Sequence, residues 1–421
     1  MKRAFPVLAA LTVLVAAPAV ARAAAPLTGG VEYVPGEVIV KYEDERRSEV
    51  VELDGGESVG AALAELKADP GVDYAVPNLI AHAAELVPND PGFGLQWNLF
   101  GPWAINMPEA WSLARSLGAP GGRGTAVAVL DTGVAYRNRG RFRRAPDLHH
   151  FTKARYDFVD NDRFPHDLNG HGTHVAGTIG QSTNNGKGVA GVAYRTKIMP
   201  LRVLDADGAG DTIAISRAIR YAARRRVDVI NLSLEFDSSV RASQIPDIVS
   251  ALRFAKRRGV TVVAAAGNQA DRVVAYPARA ASVIAVGATT ERGCQADYSN
   301  AGRDLDVVAP GGGVDAPNAD TPYDIEVCRP DQGGRDIFQQ TFTRGLRRFG
   351  LPNGYEGTSM ASPHVAGVAA LVIATRKVPR RRPRLVEQHI EATARDIGVP
   401  GGPPTDSRYG WGLVDAAAAL R

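Results

Sequence analysis

Asp131 closes the apolar stretch TAVAVLD, His171 stands between two glycines in NGHGTHVAGT, and Ser359 lies at the mouth of GTSMASPHVAG. Serine is a weak nucleophile near neutral pH and needs a base; histidine, titrating near ~6.5, can supply one. A carboxylate beside the imidazole fixes its tautomer and steadies the cation formed when the ring takes a proton. Carboxylate, imidazole and hydroxyl are the parts of an acyl-transfer centre, provided that the fold brings them together. Taken singly, each has a plainer reading. Ser359 or Thr358 could simply cap a helix by satisfying N–H groups that lack intrahelical partners. Pro363, near the start of that helix, would be tolerated because the first N–H groups have no helical acceptor. An Asp, Ser or Asn at a strand end is commonly a turn residue. The pair His171 and His174 would want a third ligand at a recognisable spacing to hold zinc, and none accompanies it.

The elements that must position these groups follow from the apolar pattern. From about Gly124 onward, strand-like runs (TAVAVLD, KIMPLRVL, VDVINLSL, VTVVAAAGN, SVIAVGA, LDVVAP) alternate with helical ones (TIAISRAIRYAARRR, IPDIVSALRFAKRRG, HVAGVAALVIATRK). That alternation predicts an α/β domain with a largely parallel central sheet covered by helices. Parallel sheets receive ligands beyond the carboxyl ends of their strands. Three strands end there in polar residues: Asp131, the NLSLE segment containing Ser233, Leu234 and Glu235, and Asn268.

Residues from about 31 to 88 form a separate block. EVIVKY reads as a strand, Val59, Ala62, Leu63 and Leu66 share one helical face, and VDYAVPN reads as a strand ended by Pro77. Before it, Lys2 and Arg3 precede an apolar stretch from Ala4 to about Val20 and small residues at Ala21 and Ala23. This is the pattern of a secretory signal peptide over residues 1–25, and it predicts an exported chain with no membrane anchor after cleavage. No later stretch approaches the ~20 apolar residues of a membrane span. Export permits a disulfide between the two cysteines, Cys294 and Cys328. With 49 basic against 45 acidic residues, charge alone gives no case for a nucleic-acid partner. The basic runs RNRGRFRR (137–144) and RKVPRRRPR (376–384) are expected to be solvated loops between the motifs.

VAVLDTGV, NGHGTHVAGT and GTSMASPHVAG, in this order, resemble the three signature segments of the subtilisin-like serine proteases. PNDPGFGLQWNL and YDFVDNDRFPHDLNGHG resemble the thermitase-like, calcium-stabilised branch. The resemblance implies a subtilisin-like three-layer α/β fold over residues 89–421, preceded by a small α+β inhibitory propeptide (26–88) cut away between Ala84 and Asn89. It implies a secreted, monomeric endopeptidase acting on polypeptides, with its own propeptide as inhibitor and no organic cofactor. Ser359 would be the nucleophile, His171 the general base and then acid, Asp131 the orienting carboxylate and Asn268 the side-chain donor to the oxyanion. Ser233, Leu234 and Glu235 on one side and Gly208 and Gly210 on the other would grip the peptide. The family commonly carries glycine where this chain has Glu235; the glutamate either favours basic residues before the scissile bond or points away into solvent. The resemblance further implies structural Ca²⁺: Asp90, Asp147 and Asn185 with carbonyls of 184–189 at one site, and Asp157 and Asp162 at a second, where His166 replaces an expected amide. A catalytically silent scaffold on the same fold is the alternative. An α/β-hydrolase esterase is disfavoured by the order of the three residues and by Ala361 where its G-x-S-x-G elbow needs glycine.

Overall fold

A computed structural model describes residues 25–26, 32–53, 58–79, 85–317, 327–398 and 405–421. The leader expected over residues 1–25 lies almost wholly outside these residues, as does Ala84. The chain divides into two compact units, residues 1–83 and 84–421.

In the first unit, β1 (Ala25–Pro26), β2 (Glu32–Tyr42), β3 (Glu49–Glu52) and β4 (Val72–Leu79) form an antiparallel sheet. Helix α1 (Val59–Ala68) is capped by Ser58, whose hydroxyl accepts the Ala61 N–H. It places Val59 and Ala62 in a small core with Val38, Val40 and Ala75, and Leu63 and Leu66 pack against that core, as the helical spacing predicts. β4 does not stop at Pro77 but runs on to Leu79. Its ladder partner is β2, so the missing N–H falls on the open side of the strand, where proline interrupts no bond.

The second unit is built on a seven-stranded sheet in the order β11–β10–β9–β8–β5–β7–β6, with every pairing parallel. The strands are β5 (Ala126–Asp131), β6 (Tyr156–Asp157), β7 (Lys197–Arg202), β8 (Val229–Leu232), β9 (Thr261–Ala265), β10 (Ile284–Thr289) and β11 (Val307–Pro310). Apart from the outermost residues they are buried on both faces, which is why they read as continuous apolar runs rather than as alternating ones. Helices α2 (Met107–Ser116), α3 (His171–Gly180), α6 (Thr358–Ala374) and α7 (Pro383–Thr393) contribute to one apolar layer. Helices α4 (Thr212–Arg224) and α5 (Pro246–Arg257) contribute to the other. A short antiparallel hairpin, β12 (Thr341–Arg344) and β13 (Arg348–Gly350), precedes α6. The strand order reverses at β5, whose neighbours β7 and β8 both follow it in sequence. A reversal of this kind opens a crevice at the carboxyl ends, here between the segments after β5 and β8.

The second basic run is largely exposed, as expected of a surface loop, but two of its arginines are engaged. Arg380 bonds the Gly124 carbonyl, and Arg381 bonds the carbonyls of Arg226 and Val227, just past the end of α4. Helix ends leave carbonyls without partners, and guanidinium forks satisfy them.

Candidate active site

Asp131 and His171 meet because β5 ends beside the start of α3. The His171 Nδ1 lies 2.7 Å from Asp131 Oδ1, which also accepts the Thr132 N–H at 2.7 Å. This contact depends on the absence of a side chain at Gly172, where a Cβ would lie 2.1 Å from the Gly133 carbonyl oxygen and 3.0 Å from Asp131 Oδ1. Gly170, the residue before His171, has φ +118°, outside the range of ordinary L side chains.

Beneath this contact lies a residue the sequence reading did not single out. Asp167 is completely buried and accepts five bonds: from the Thr132 hydroxyl (2.9 Å), the N–H groups of Asn169 (2.9 Å), Gly170 (2.8 Å) and Thr173 (2.9 Å), and the Thr173 hydroxyl (2.6 Å). It ties the end of β5 to the first turn of α3 and so sets the spacing between Asp131 and His171. Burial pushes its carboxyl upward, opposed by these donors. Its only advance signal is an acidic residue four places before a glycine-flanked histidine. His171 itself is held above its ordinary 6.5: burial opposes protonation, but the charge of Asp131, the hydrogen bond to it and the field of Asp167 outweigh that. His174 is the structural member of the pair. It is buried, bonded to the Ile337 carbonyl at 2.9 Å, stacked on Tyr355 at 4.2 Å and pushed down to about 3 by burial.

Ser359 is the second residue of α6. The helix is capped by Gly357, not by Thr358 or Ser359 as the capping reading expects, because both side chains are engaged elsewhere. The Thr358 N–H and hydroxyl both donate to Asn268 Oδ1, at 2.8 and 2.9 Å. The Ser359 hydroxyl donates to the Ser233 carbonyl at 3.3 Å. Among the described residues, nothing accepts the Ser359 N–H. Pro363 also differs from expectation. It lies beyond the first turn, so it removes the N–H that would have bonded the Ser359 carbonyl. The Ser233 hydroxyl takes its place, donating to that carbonyl at 2.8 Å. The proline thus couples the helix carrying Ser359 to the segment after β8.

Asn268 follows β9. With its Oδ1 fixed by Thr358, its NH₂ group is turned toward the cleft, where the nearest acceptor is Glu235 Oε1 at 3.5 Å. The Glu235 carboxylate does not point away into solvent: Oε2 accepts the Asn268 backbone N–H at 2.8 Å. A single cleft of about 460 Å³ is lined by His171, Ser359, Asn268, Ser233, Leu234, Glu235, Gly208 and Gly210. The two segments expected to grip a peptide thus line the same cleft as His171, Ser359 and Asn268.

Residues 122–412 match the profile of the Subtilase family. The chain belongs to the subtilase family. It is 36% identical over 400 residues to a thermophilic serine proteinase of Bacillus sp. (strain AK1), covering 90% of this chain and 86% of that one. It is 35% identical over 285 residues to thermitase of Thermoactinomyces vulgaris, covering 68% of this chain and 85% of that one. Among solved structures, a protease of Pseudoalteromonas arctica superposes with a TM-score of 0.63 at 32% identity, covering 79% of this chain and 98% of that one. As a subtilase the protein is a serine-type endopeptidase and acts on polypeptides.

The subtilase's expected calcium ligands divide into two cases. Asp90 Oδ1 and Oδ2 accept the N–H groups of Asn185 (2.9 Å) and Asn184 (2.7 Å), and the Asn185 amide donates to Asp147 Oδ1 at 2.8 Å. Asp147 is buried, its Oδ2 lacks any partner among the described residues, and burial raises its carboxyl. An orphaned buried carboxylate oxygen, in a loop of carboxylates, an amide and carbonyls, fits a hard cation. The second set does not fit. Asp157 Oδ2 is paired with Arg202 Nη1 at 2.9 Å, and Asp157 Oδ1 accepts the N–H groups of Val159 and Asp160, both at 2.9 Å. Asp162 Oδ1 accepts the Phe164 N–H at 2.6 Å, and His166 packs among Phe142, Phe164 and Tyr136. A guanidinium already supplies the positive charge that Asp157 requires.

Cys294 and Cys328 are joined by a disulfide, with Cα atoms 5.8 Å apart. The segment that follows braces α3 and the loop after it: the Ile337 carbonyl faces His174, Thr341 Oγ1 donates to the Gly170 carbonyl at 2.5 Å, and the Gln339 amide donates to the Ala190 carbonyl at 3.1 Å. Nothing local in the sequence signals these long-range bonds.

Proposed function

We propose that the protein is a secreted serine endopeptidase, made as a self-processing precursor, that cleaves through Asp131, His171 and Ser359. The observation that carries this reading is the 2.7 Å contact between His171 and Asp131 at the rim of the cleft that Ser359 also lines. In the structure the Ser359 hydroxyl bonds the Ser233 carbonyl rather than His171, so it would have to turn toward His171 Nε2 to react. The Ser359 oxygen then attacks the peptide carbonyl carbon while Nε2 takes its proton, and Asp131 stabilises the imidazolium. The tetrahedral oxyanion is met by the Asn268 NH₂ and the free Ser359 N–H at the positive end of α6. Collapse expels the amine, which receives the proton from His171, and leaves an acyl-enzyme. Water, deprotonated by the same imidazole, hydrolyses the ester and restores Ser359.

The N-terminal residues read as a leader, which supports export. Residues 26–88 are proposed as the inhibitory propeptide. The 400-residue match to the thermophilic serine proteinase is too long to fit within residues 84–421 alone, so it extends into this first unit. Expression of the full precursor in calcium-containing buffer tests the reading. The expected product is a chain beginning between residues 84 and 89 that hydrolyses peptides and reacts with a fluorophosphonate. An intact, unreactive precursor would contradict it.

Asp90, Asp147 and Asn185, with carbonyls of 184–189, would hold one structural Ca²⁺, which would tie the segment around Asp90 to this loop. An ion bound only by the folded state stabilises it by about 3–4 kcal/mol at 100–1,000 times its Kd. Chelation is therefore expected to lower Tm by roughly 5–10 °C in a thermal scan of a Ser359→Ala chain, which cannot digest itself. In Asp147→Asn the dependence on calcium should largely vanish. Equal melting curves with and without chelator in the parent would rule out this site.

A further inference from the structure

Glu235 is a half-buried carboxylate in the active cleft whose bonding partners are both neutral amide groups of Asn268, the backbone N–H at 2.8 Å and the side-chain NH₂ at 3.5 Å. No cation pairs with it among the described residues, and the nearest charged influence on it is Asp237, of the same sign. Burial raises its carboxyl, opposed by the two Asn268 bonds. An anion so placed is poorly compensated, and a cation brought into contact would relieve it. It also faces the amide proposed above to receive the oxyanion. A carboxylate beside that amide competes for its hydrogen and repels the charge that develops there.

The geometry fixes which part of a peptide comes nearest. The carbonyl carbon under attack must sit at Ser359 Oγ with its oxygen toward the Asn268 NH₂, so the side chain on the adjoining Cα, immediately before the scissile bond, enters the cleft beside Glu235. The carboxylate lies against Gly267, where a Cβ would be only 2.4 Å from Glu235 Oε2, so it occupies the wall between the segments after β8 and β9. We propose that Glu235 makes this protease select peptides with Lys or Arg immediately before the scissile bond, the incoming cation replacing the Asn268 amide as partner of the carboxylate and freeing that amide for the oxyanion. The inference rests on the reading of Ser359 as nucleophile and Asn268 as oxyanion donor. It differs from simple charge attraction in that the basic side chain aids the chemical step as well as binding. The preference is therefore expected in kcat and not only in KM.

The test uses the processed enzyme, Glu235→Gln and Glu235→Ala, with peptides that differ only at that position (Arg, Lys, Leu, Ala). The parent is expected to favour Arg and Lys over Leu by at least about tenfold in kcat/KM, the scale of a close charge pair. In both variants the basic peptides should slow and the Leu peptide should speed up, so that the preference flattens or reverses. Rising salt should erode the parent's preference but not that of the variants. Variants that still react with a fluorophosphonate while keeping the parent's ratio would overturn the proposal, as would a parent that favours Leu. If the parent neither cleaves any peptide nor reacts with the probe, the endopeptidase reading itself has failed and takes this inference with it.

Discussion

Ser359→Ala is expected to lower kcat by about 10⁶ and to abolish removal of the N-terminal segment. The figure is the one known for subtilisin, a relative, and is carried over rather than calculated from these distances. The size reflects a change of mechanism: without the hydroxyl no acyl-enzyme forms, and what remains is water attacking a peptide held by the cleft and its oxyanion donors, worth about 10³–10⁴ over the uncatalysed rate. The fold should be indifferent to the substitution. The Ser359 side chain makes one long bond, 3.3 Å to the Ser233 carbonyl, whereas the backbone bonds that seat α6 come from Thr358 and from Ser233 to the Ser359 carbonyl. Thermal melting of the Ser359→Ala chain, its N-terminal segment removed by an unrelated protease that is then inhibited, beside peptide hydrolysis checks both halves. A folded Ser359→Ala protein with kcat within tenfold of the parent would remove Ser359 from the mechanism.

Asp131→Ala is expected to cost about 10⁴ in kcat, near the loss known for the corresponding residue of subtilisin, and to displace the pH profile in a defined direction. His171 accepts the Ser359 proton only when neutral, so kcat/KM rises with pH through the titration of the imidazole. In the parent, the ring is raised above 6.5 because the charge of Asp131, its hydrogen bond and the field of Asp167 outweigh burial. Removing Asp131 removes the two largest of the opposing contributions while burial remains. The residual activity should therefore be half-maximal at a lower pH than in the parent. An unmoved or upward-moving acid limb would show that Asp131 does not act through His171.

The parts legible in the sequence are those fixed by local patterns. Continuous apolar runs marked the buried parallel strands, and polar residues at their ends marked Asp131, Ser233 and Asn268 as members of one sheet edge. Glycines on both sides of His171 signalled a close approach that the Gly172 contact displays. The missing parts depend on partners far away in the chain. Pro363 is tolerated because Ser233, about 130 residues earlier, bonds the carbonyl it leaves free. Asp157 resembles a calcium ligand locally, but Arg202 from β7 neutralises it. Arg380 and Arg381 look like members of a solvated basic run until Gly124, Arg226 and Val227 present their carbonyls. Asp167 carries no local mark because its role is set by convergence: its five donors span Thr132 to Thr173. Periodicity and motif report what a segment does alone, and none of these groups acts alone.

Peptide cleavage by this protein turns on the hydroxyl of Ser359 acting as the nucleophile served by His171. Reaction of the processed enzyme with a fluorophosphonate, followed by mass-spectrometric location of the phosphonyl group, tests it most directly. The expected result is one adduct per chain on the peptide containing Gly357–Gly367, assigned to Ser359, with a rate that rises with pH alongside peptide hydrolysis. An adduct on another residue, or undiminished peptide hydrolysis by a chain fully phosphonylated at Ser359, would contradict it.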